Sequence, residues 1–124
     1  MHTQGDTCLH LACLYPNEAI FDVLLQAGAD VKVADENGGT VLHDAAASGC
    51  LTIVERLLEL APELVRRADR DEETPLHCAA RGAHTAVVAA LLRHGADKDV
   101  RNTFGQTALM LVDPIDVDTA RVLA

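Results

Sequence analysis

A six-residue phrase returns along this chain at a nearly constant interval, and that interval limits the fold more than any other feature. The phrase reads Gly5-Asp6-Thr7-Cys8-Leu9-His10, Gly38-Gly39-Thr40-Val41-Leu42-His43, Glu72-Glu73-Thr74-Pro75-Leu76-His77 and Gly105-Gln106-Thr107-Ala108-Leu109-Met110, with threonines 33, 34 and 33 residues apart. A second phrase keeps the same period: Leu24-Leu25, Leu57-Leu58 and Leu91-Leu92 each begin 17 residues after a threonine. A third, Gly28-Ala29-Asp30, recurs as Gly95-Ala96-Asp97. A fixed period of this length means that one small supersecondary unit is repeated, and that the units bury their apolar faces by stacking on their neighbours.

Each unit can be read from local chemistry. Threonine is a helix N-cap, its hydroxyl accepting a free amide of the first turn, so a helix is expected to open at each threonine. Pro75 fits directly after Thr74, because the first turn has no intrahelical use for that N–H. In the second unit the short helix runs over Leu42, Ala45 and Ala46 to Gly49, which suits the left-handed residue that ends a helix. A second helix carries Ile53, Val54, Leu57 and Leu58 at spacings of three and four, a single apolar stripe. Between pairs, Val33-Ala34-Asp35-Glu36-Asn37-Gly38-Gly39 is rich in turn formers and charge, and should leave the helical layer as an exposed loop. The only aromatics are Tyr15, Phe21 and Phe104, so the apolar 49% of the chain is mostly Ala, Leu and Val, a composition for close helix packing.

A period of 33 carrying Thr74-Pro75-Leu76-His77-Cys78-Ala79 resembles the ankyrin-repeat family. The likeness covers nearly the whole chain; the other units keep the phrase but replace the proline by Cys8, Val41 and Ala108. It implies an all-α solenoid of stacked antiparallel helix pairs with protruding hairpin-like loops. It also implies one domain over 1–124, with units at about 2–34, 35–68, 69–101 and a degenerate terminal unit at 102–124. Three departures matter. Pro16 stands where a glycine should join the first two helices, so Asn17 is expected to cap the second. Ala61-Pro62-Glu63 replaces Gly-Ala-Asp and one residue is inserted before Asp69, which predicts a second helix about a turn longer there. In the last unit Met110 replaces the histidine and Asp113-Pro114 interrupts the pattern. The chain stops without the polar outer face that a capping repeat needs, which is expected of a fragment of a longer protein or, failing that, of a last helix that frays.

The residue types that carry chemistry in other proteins read here as structure. His10, His43 and His77 occupy equivalent places in units packed about 8 to 10 Å apart, too far to share an ion with bonds near 2 Å, so no metal is expected. The resemblance implies instead that these histidines, and His84, hydrogen-bond within and between units. Cys13 lies one helical turn from His10, but both are core positions; Cys8, Cys13, Cys50 and Cys78 show no C-x2-C spacing and read as small core residues. No phosphate loop, dinucleotide fingerprint or calcium loop is present, and no cofactor is expected. Asp69, Asp71, Glu72 and Glu73 are interleaved with Arg66, Arg67 and Arg70, the pattern of a solvated mixed-charge loop. A formal charge of -9 disfavours nucleic acid and anionic membrane surfaces as partners. Cysteines placed as small core residues and the lack of a signal peptide or membrane-length apolar run point to an intracellular protein, cytoplasmic or nuclear.

What is left is the surface, and the expectation is a non-enzymatic module that binds another protein. The resemblance implies a face made of loop tips and the exposed side of each first helix. The matching positions are Leu14 and Tyr15 in the first unit and Glu36, Asn37, Gly39, Ala47 and Ser48 in the second. Arg70, Asp71, Glu73 and Arg81 follow in the third, and Thr103, Phe104 and Gln106 in the fourth. Tyr15 and Phe104 attract interest because aromatics are enriched among binding hot spots, although Phe104 could equally pack on its neighbouring loop. The alternative reading is the recognition or regulatory arm of a larger enzyme or channel whose active part lies outside this sequence. The chain itself is expected to be monomeric, with end-to-end association left open.

Overall fold

The computed structural model describes residues 4–124, and their side chains from Leu9 onward. Among the described residues there are seven α-helices and no strand. They are α1 (Gln4–Leu14), α2 (Glu18–Gln26), α3 (Val41–Ser48), α4 (Leu51–Leu60), α5 (Pro75–Arg81), α6 (Thr85–Arg93) and α7 (Val117–Leu123), with 3-10 turns at Pro62–Arg66 and Leu109–Leu111. The helices pair as α1–α2, α3–α4 and α5–α6, with the second 3-10 turn and α7 as a reduced fourth pair. First helices pack on first helices, α1 on α3 on α5, and α4, α6 and α7 follow on the other side. Leu42, Ala45 and Ala46 of α3 and Ile53, Val54, Leu57 and Leu58 of α4 are all buried, as the periodicity requires. They belong to one core that runs from Leu9 through Leu123, so each pair completes the burial of its neighbour.

The joints follow the sequence closely. Thr40 and Thr74 cap α3 and α5 in capping boxes whose third-position residue is histidine, not the usual Glu or Gln. Gly49 ends α3 at φ 79, and a Cβ there would lie 2.4 Å from Nδ1 of His84, so the site excludes side chains twice over. Asn17 caps α2 by accepting the Ile20 amide at 3.1 Å, the turn expected beside Pro16.

Two expectations need correction. Helix α4 does not gain a turn: it ends at Leu60, because Pro62 has no N–H to continue the ladder, and the inserted residue is taken up in the 3-10 turn that follows. Helix α1 starts at Gln4, three residues before Thr7. In the other units the residue five before the threonine is Asp35, Asp69 or Asn102, each of which ties a loop into position; here it is His2, outside the described residues, as are the side chains of Thr7 and Cys8. The last unit is reduced as expected, its first helix shrinking to a single 3-10 turn.

Core and surface leucines on the same helix should separate cleanly. Leu58→Ala is expected to cost about 2 to 5 kcal/mol in urea unfolding, whereas Leu60→Ala, half-exposed two residues on, should change stability by about 0.5 kcal/mol or less.

Candidate partner-binding face

The loops between pairs are built on one template. Oδ1 of Asp35 accepts the amides of Asn37 and Gly39, both at 2.9 Å. Asp69 accepts those of Asp71 and Glu73 at 2.8 and 3.0 Å, and Asn102 those of Phe104 and Gln106, both at 3.0 Å. The same residues close each loop through the backbone, Asp35 to Gly39, Asp69 to Glu73 and Asn102 to Gln106. At the tight corner the chain needs positive φ, supplied by Gly38 and Gly105 but by Glu72 in the middle loop. Successive fingers are tied backbone to backbone: the Arg70 amide donates to the Asn37 carbonyl at 2.9 Å, and the Thr103 amide to the Asp71 carbonyl at 2.8 Å.

The histidines fix these fingers to the helices. Nδ1 of His43 accepts the Thr40 amide at 3.1 Å, so the hydrogen must sit on Nε2, which donates to the Glu73 carbonyl at 2.8 Å. Burial lowers the His43 pKa and favours this neutral ring. His77 repeats the arrangement with Thr74 and the Gln106 carbonyl, and His10 reaches the Gly39 carbonyl at 3.2 Å. His84 donates to the Ala47 carbonyl at 3.0 Å. The imidazoles therefore act within and between units, as the resemblance implied.

Of the positions expected at the face, Leu14, Tyr15, Glu36, Asn37, Ala47, Arg70, Asp71, Arg81, Thr103 and Phe104 are exposed. Phe104 is 76% exposed and so does not pack on a neighbouring loop. The four others face inward or hold units together. Gly39 is buried beneath Asp35. Ser48 donates to the carbonyls of Ala45 and Cys13, both at 2.9 Å. Gln106 receives His77 through its carbonyl and Asn102 through Oε1. Glu73 is 8% exposed and paired with Arg81 and Asn102, and the Arg81 hydrogen bonds hold its carboxyl below the usual range. Sequence reasoning missed Asp35, Asp69 and Asn102, the residues that shape every finger. Their signal was available as an Asp or Asn five residues before each of three threonines.

A grouping that sequence spacing did not foresee lies where α1, α3 and the first finger meet. Ligand-type atoms of His10, Asp35 and Asp44 fall within 4.8 Å of one another. Two of the three are already engaged, Asp35 by two loop amides and His10 by Gly39, so the cluster works as a brace. Burial pushes the Asp44 carboxyl up to about 6. It also pushes the Cys13 and Cys78 thiols up to about 12, which removes the thiolate that nucleophilic chemistry needs. Cys13, Cys50 and Cys78 are unpaired.

The ankyrin-repeat profile in three copies matches residues 1–68, and the single ankyrin repeat matches 71–103. The chain belongs to the ankyrin-repeat family, whose repeats are protein-interaction modules and generally not catalytic. It is 32% identical over 95% of its length to a transient receptor potential cation channel subfamily A member 1 homolog of Caenorhabditis elegans, and spans 10% of that protein. It is 35% identical over 85% of its length to a probable 26S proteasome regulatory subunit p28 of Saccharomyces cerevisiae, spanning 46% of it. It is 34% identical over 96% of its length to a neurogenic locus notch homolog protein 1 of Xenopus tropicalis, spanning 5% of it. No described helix is long and apolar enough to cross a membrane.

The raised carboxyl of Asp44 has a definite pH consequence. Its ordinary value is 3.8, so folding favours the protonated form; the penalty for carrying the charge is full above about pH 6 and absent below about 3.8. Asp44→Asn should therefore stabilise the chain by on the order of 1 to 3 kcal/mol at pH 7.5, at about 1.4 kcal/mol per pKa unit. Thermal melts from pH 7.5 to 4 should show that gain shrinking as the pH falls.

Proposed function

We propose that this chain is a protein-binding module whose contact face is the row of finger tips together with the exposed side of the first helices, and that it carries out no chemistry of its own. The observation that supports this best is the finger row. Glu36, Asn37, Arg70, Asp71, Thr103 and Phe104 are all exposed, yet the backbone under them is fixed by paired Asp or Asn hydrogen bonds and by bonds between fingers. A surface ordered before contact loses little conformational freedom on binding, which favours affinity. The tips alternate in character: Glu36 and Asn37, then Arg70 beside Asp71, then Thr103 beside Phe104. A partner is chosen by matching that charge order around an aromatic anchor, and the net charge of -9 disfavours nucleic acid and anionic membrane surfaces as that partner. Gly39, Ser48, Glu73 and Gln106 serve the face from behind, as supports for its contacting residues.

On this reading residues 1–124 act as one domain and as a monomer while binding, in a reducing intracellular compartment that suits the unpaired Cys13, Cys50 and Cys78. The relatives are much longer proteins, one of them a channel homolog, which supports the second reading: the chain is the recognition arm of a larger assembly.

Photo-reactive residues at positions 70 and 104 should capture a protein partner, and the same group at Glu59, exposed on α4, should not. Arg70→Glu combined with Phe104→Ala should weaken that partner by at least tenfold while moving the melting temperature little, since exposed changes cost about 0.5 kcal/mol or less. Capture at Glu59 alone would reject the assigned face. Arg56 is unsuitable as a control, because it pairs with Asp22 and lies 5.2 Å from the Phe21 ring.

A further inference from the structure

Asn37-Gly38 is the one Asn-Gly pair in the chain; Asn17 is followed by Glu18 and Asn102 by Thr103. In such a pair the backbone nitrogen after the asparagine can attack that residue's own side-chain amide carbon, because glycine has no side chain to obstruct the approach. The finger itself demands this glycine. Gly38 sits at φ 79, and a Cβ on it would lie 3.3 Å from the backbone nitrogen of Arg70 in the next finger. The other fingers lack the combination: Asp71 precedes Glu72 in the second, and Phe104 precedes Gly105 in the third.

Asn37 is exposed, so water reaches it, and what restrains it is hydrogen bonding. The nitrogen that would attack, on Gly38, donates to the Asp35 carbonyl at 3.0 Å. The Asn37 amide is held on Asp35 Oδ1 at 2.9 Å, and the Asn37 carbonyl accepts the Arg70 amide at 2.9 Å. Ring closure needs the Gly38 nitrogen deprotonated and turned toward Cγ of Asn37, so the turn bond must open first. These bonds belong to a surface loop, a part of the fold that opens at far lower cost than the core. The lock therefore slows the reaction without preventing it.

We propose that Asn37 is a self-modification site, at which the first finger converts slowly and irreversibly to aspartyl and isoaspartyl forms under the control of the Asp35 lock. The Gly38 nitrogen gives its proton to hydroxide and bonds to Cγ of Asn37. The bond from Cγ to Nδ2 then breaks, ammonia leaves with a proton from water, and a five-membered succinimide remains. Water reopens that ring. Cleavage between Cγ and the Gly38 nitrogen gives aspartate, and cleavage between the main-chain carbonyl carbon and that nitrogen gives isoaspartate.

The two products act differently on the finger row. Asp71 shows that aspartate fits this position, since its carbonyl accepts the Thr103 amide at 2.8 Å. The aspartyl form keeps the tie to Arg70 and changes only the tip, from Glu36-Asn37 to two adjacent acids. The isoaspartyl form routes the chain through Cβ and Cγ, one atom longer, and makes the carbonyl that held Arg70 part of a free carboxylate. That unties the first finger from the second. The effect on a partner rests on the binding role proposed for this face, whereas the chemistry does not.

The test is peptide mapping by mass spectrometry of the folded chain, held for weeks in mildly alkaline buffer beside Asp35→Ala, Asp35→Asn and Asn37→Asp. The native chain should gain about one dalton at Asn37, in two separable products, and nothing at Asn17 or Asn102. Asp35→Ala should convert about tenfold faster, the change expected from losing a charge-assisted hydrogen bond. Asp35→Asn should keep the native rate, because Asn102 makes the same lock in the third finger. Sub-denaturing urea, which favours the same opening, replaces Asp35→Ala should that variant lose native helicity. Hydrogen exchange of the Arg70 amide should rise in the isoaspartyl fraction and stay native in Asn37→Asp. A native chain unchanged at Asn37, or conversion spread equally over the three asparagines, would overturn the proposal. So would an Asp35→Ala rate no faster than native, an Asp35→Asn rate as fast as that of Asp35→Ala, or equal exchange of the Arg70 amide in the two forms.

Discussion

A neutral imidazole, fixed at Nδ1 by the amide that begins its own helix and bonded at Nε2 to a carbonyl of the next finger, couples two levels of this structure in a single side chain. The helix start, the ring tautomer and the position of the neighbouring unit are all set by His43, and again by His77. Because His43 is buried, both nitrogens need partners, and a buried polar group without one costs about 1 to 3 kcal/mol. A slip of one unit against another would break the hydrogen bond that the cap has already oriented. Apolar stacking provides most of the drive for burial, but it is non-directional; the ring turns it into a fixed register.

The fold was legible because the same information is written three times over. Thr, Leu and His in one phrase, Leu-Leu in a second and Gly-Ala-Asp in a third agree on a period, and stacking explains all of them at once. Local departures were harder to read. Pro62 was recognised as an irregularity, but whether an inserted residue lengthens a helix or enters a tight turn depends on whether the helix can continue, and a residue without an N–H decides against it. At Thr7 the cap signal was present, but a cap needs the preceding chain to be extended, and the loop lock that enforces this in later units has no Asp or Asn at position 2.

The candidate face was legible as a list of positions and less so as a set of roles. Glu73 looks like one more charge in a mixed run, yet its carboxylate turns inward to Arg81 and Asn102. No linear pattern announces that, because the partners lie 8 and 29 residues away, Arg81 at the end of α5 and Asn102 in the next unit's finger. The brace of His10, Asp35 and Asp44 was invisible for the same reason. Asp35, Asp69 and Asn102 are hard to read for a different reason: their spacing is plain, but it lies outside the helical periodicity, and the finger is shaped by side-chain oxygens that replace backbone partners.

The hydrogen bonds from Arg70 to Asn37 and from Thr103 to Asp71 run from backbone to backbone, and so do not depend on which side chains the tips display. They make the finger row a ruler with marks at a constant pitch. Evolution can repaint each mark, exchanging an arginine for an aromatic or an acid, while the distance between marks stays as the amide and carbonyl define it. Recognition by such a surface becomes a reading of chemical identity at preset intervals, and a new specificity can arise from tip residues alone without renegotiating the fold beneath them.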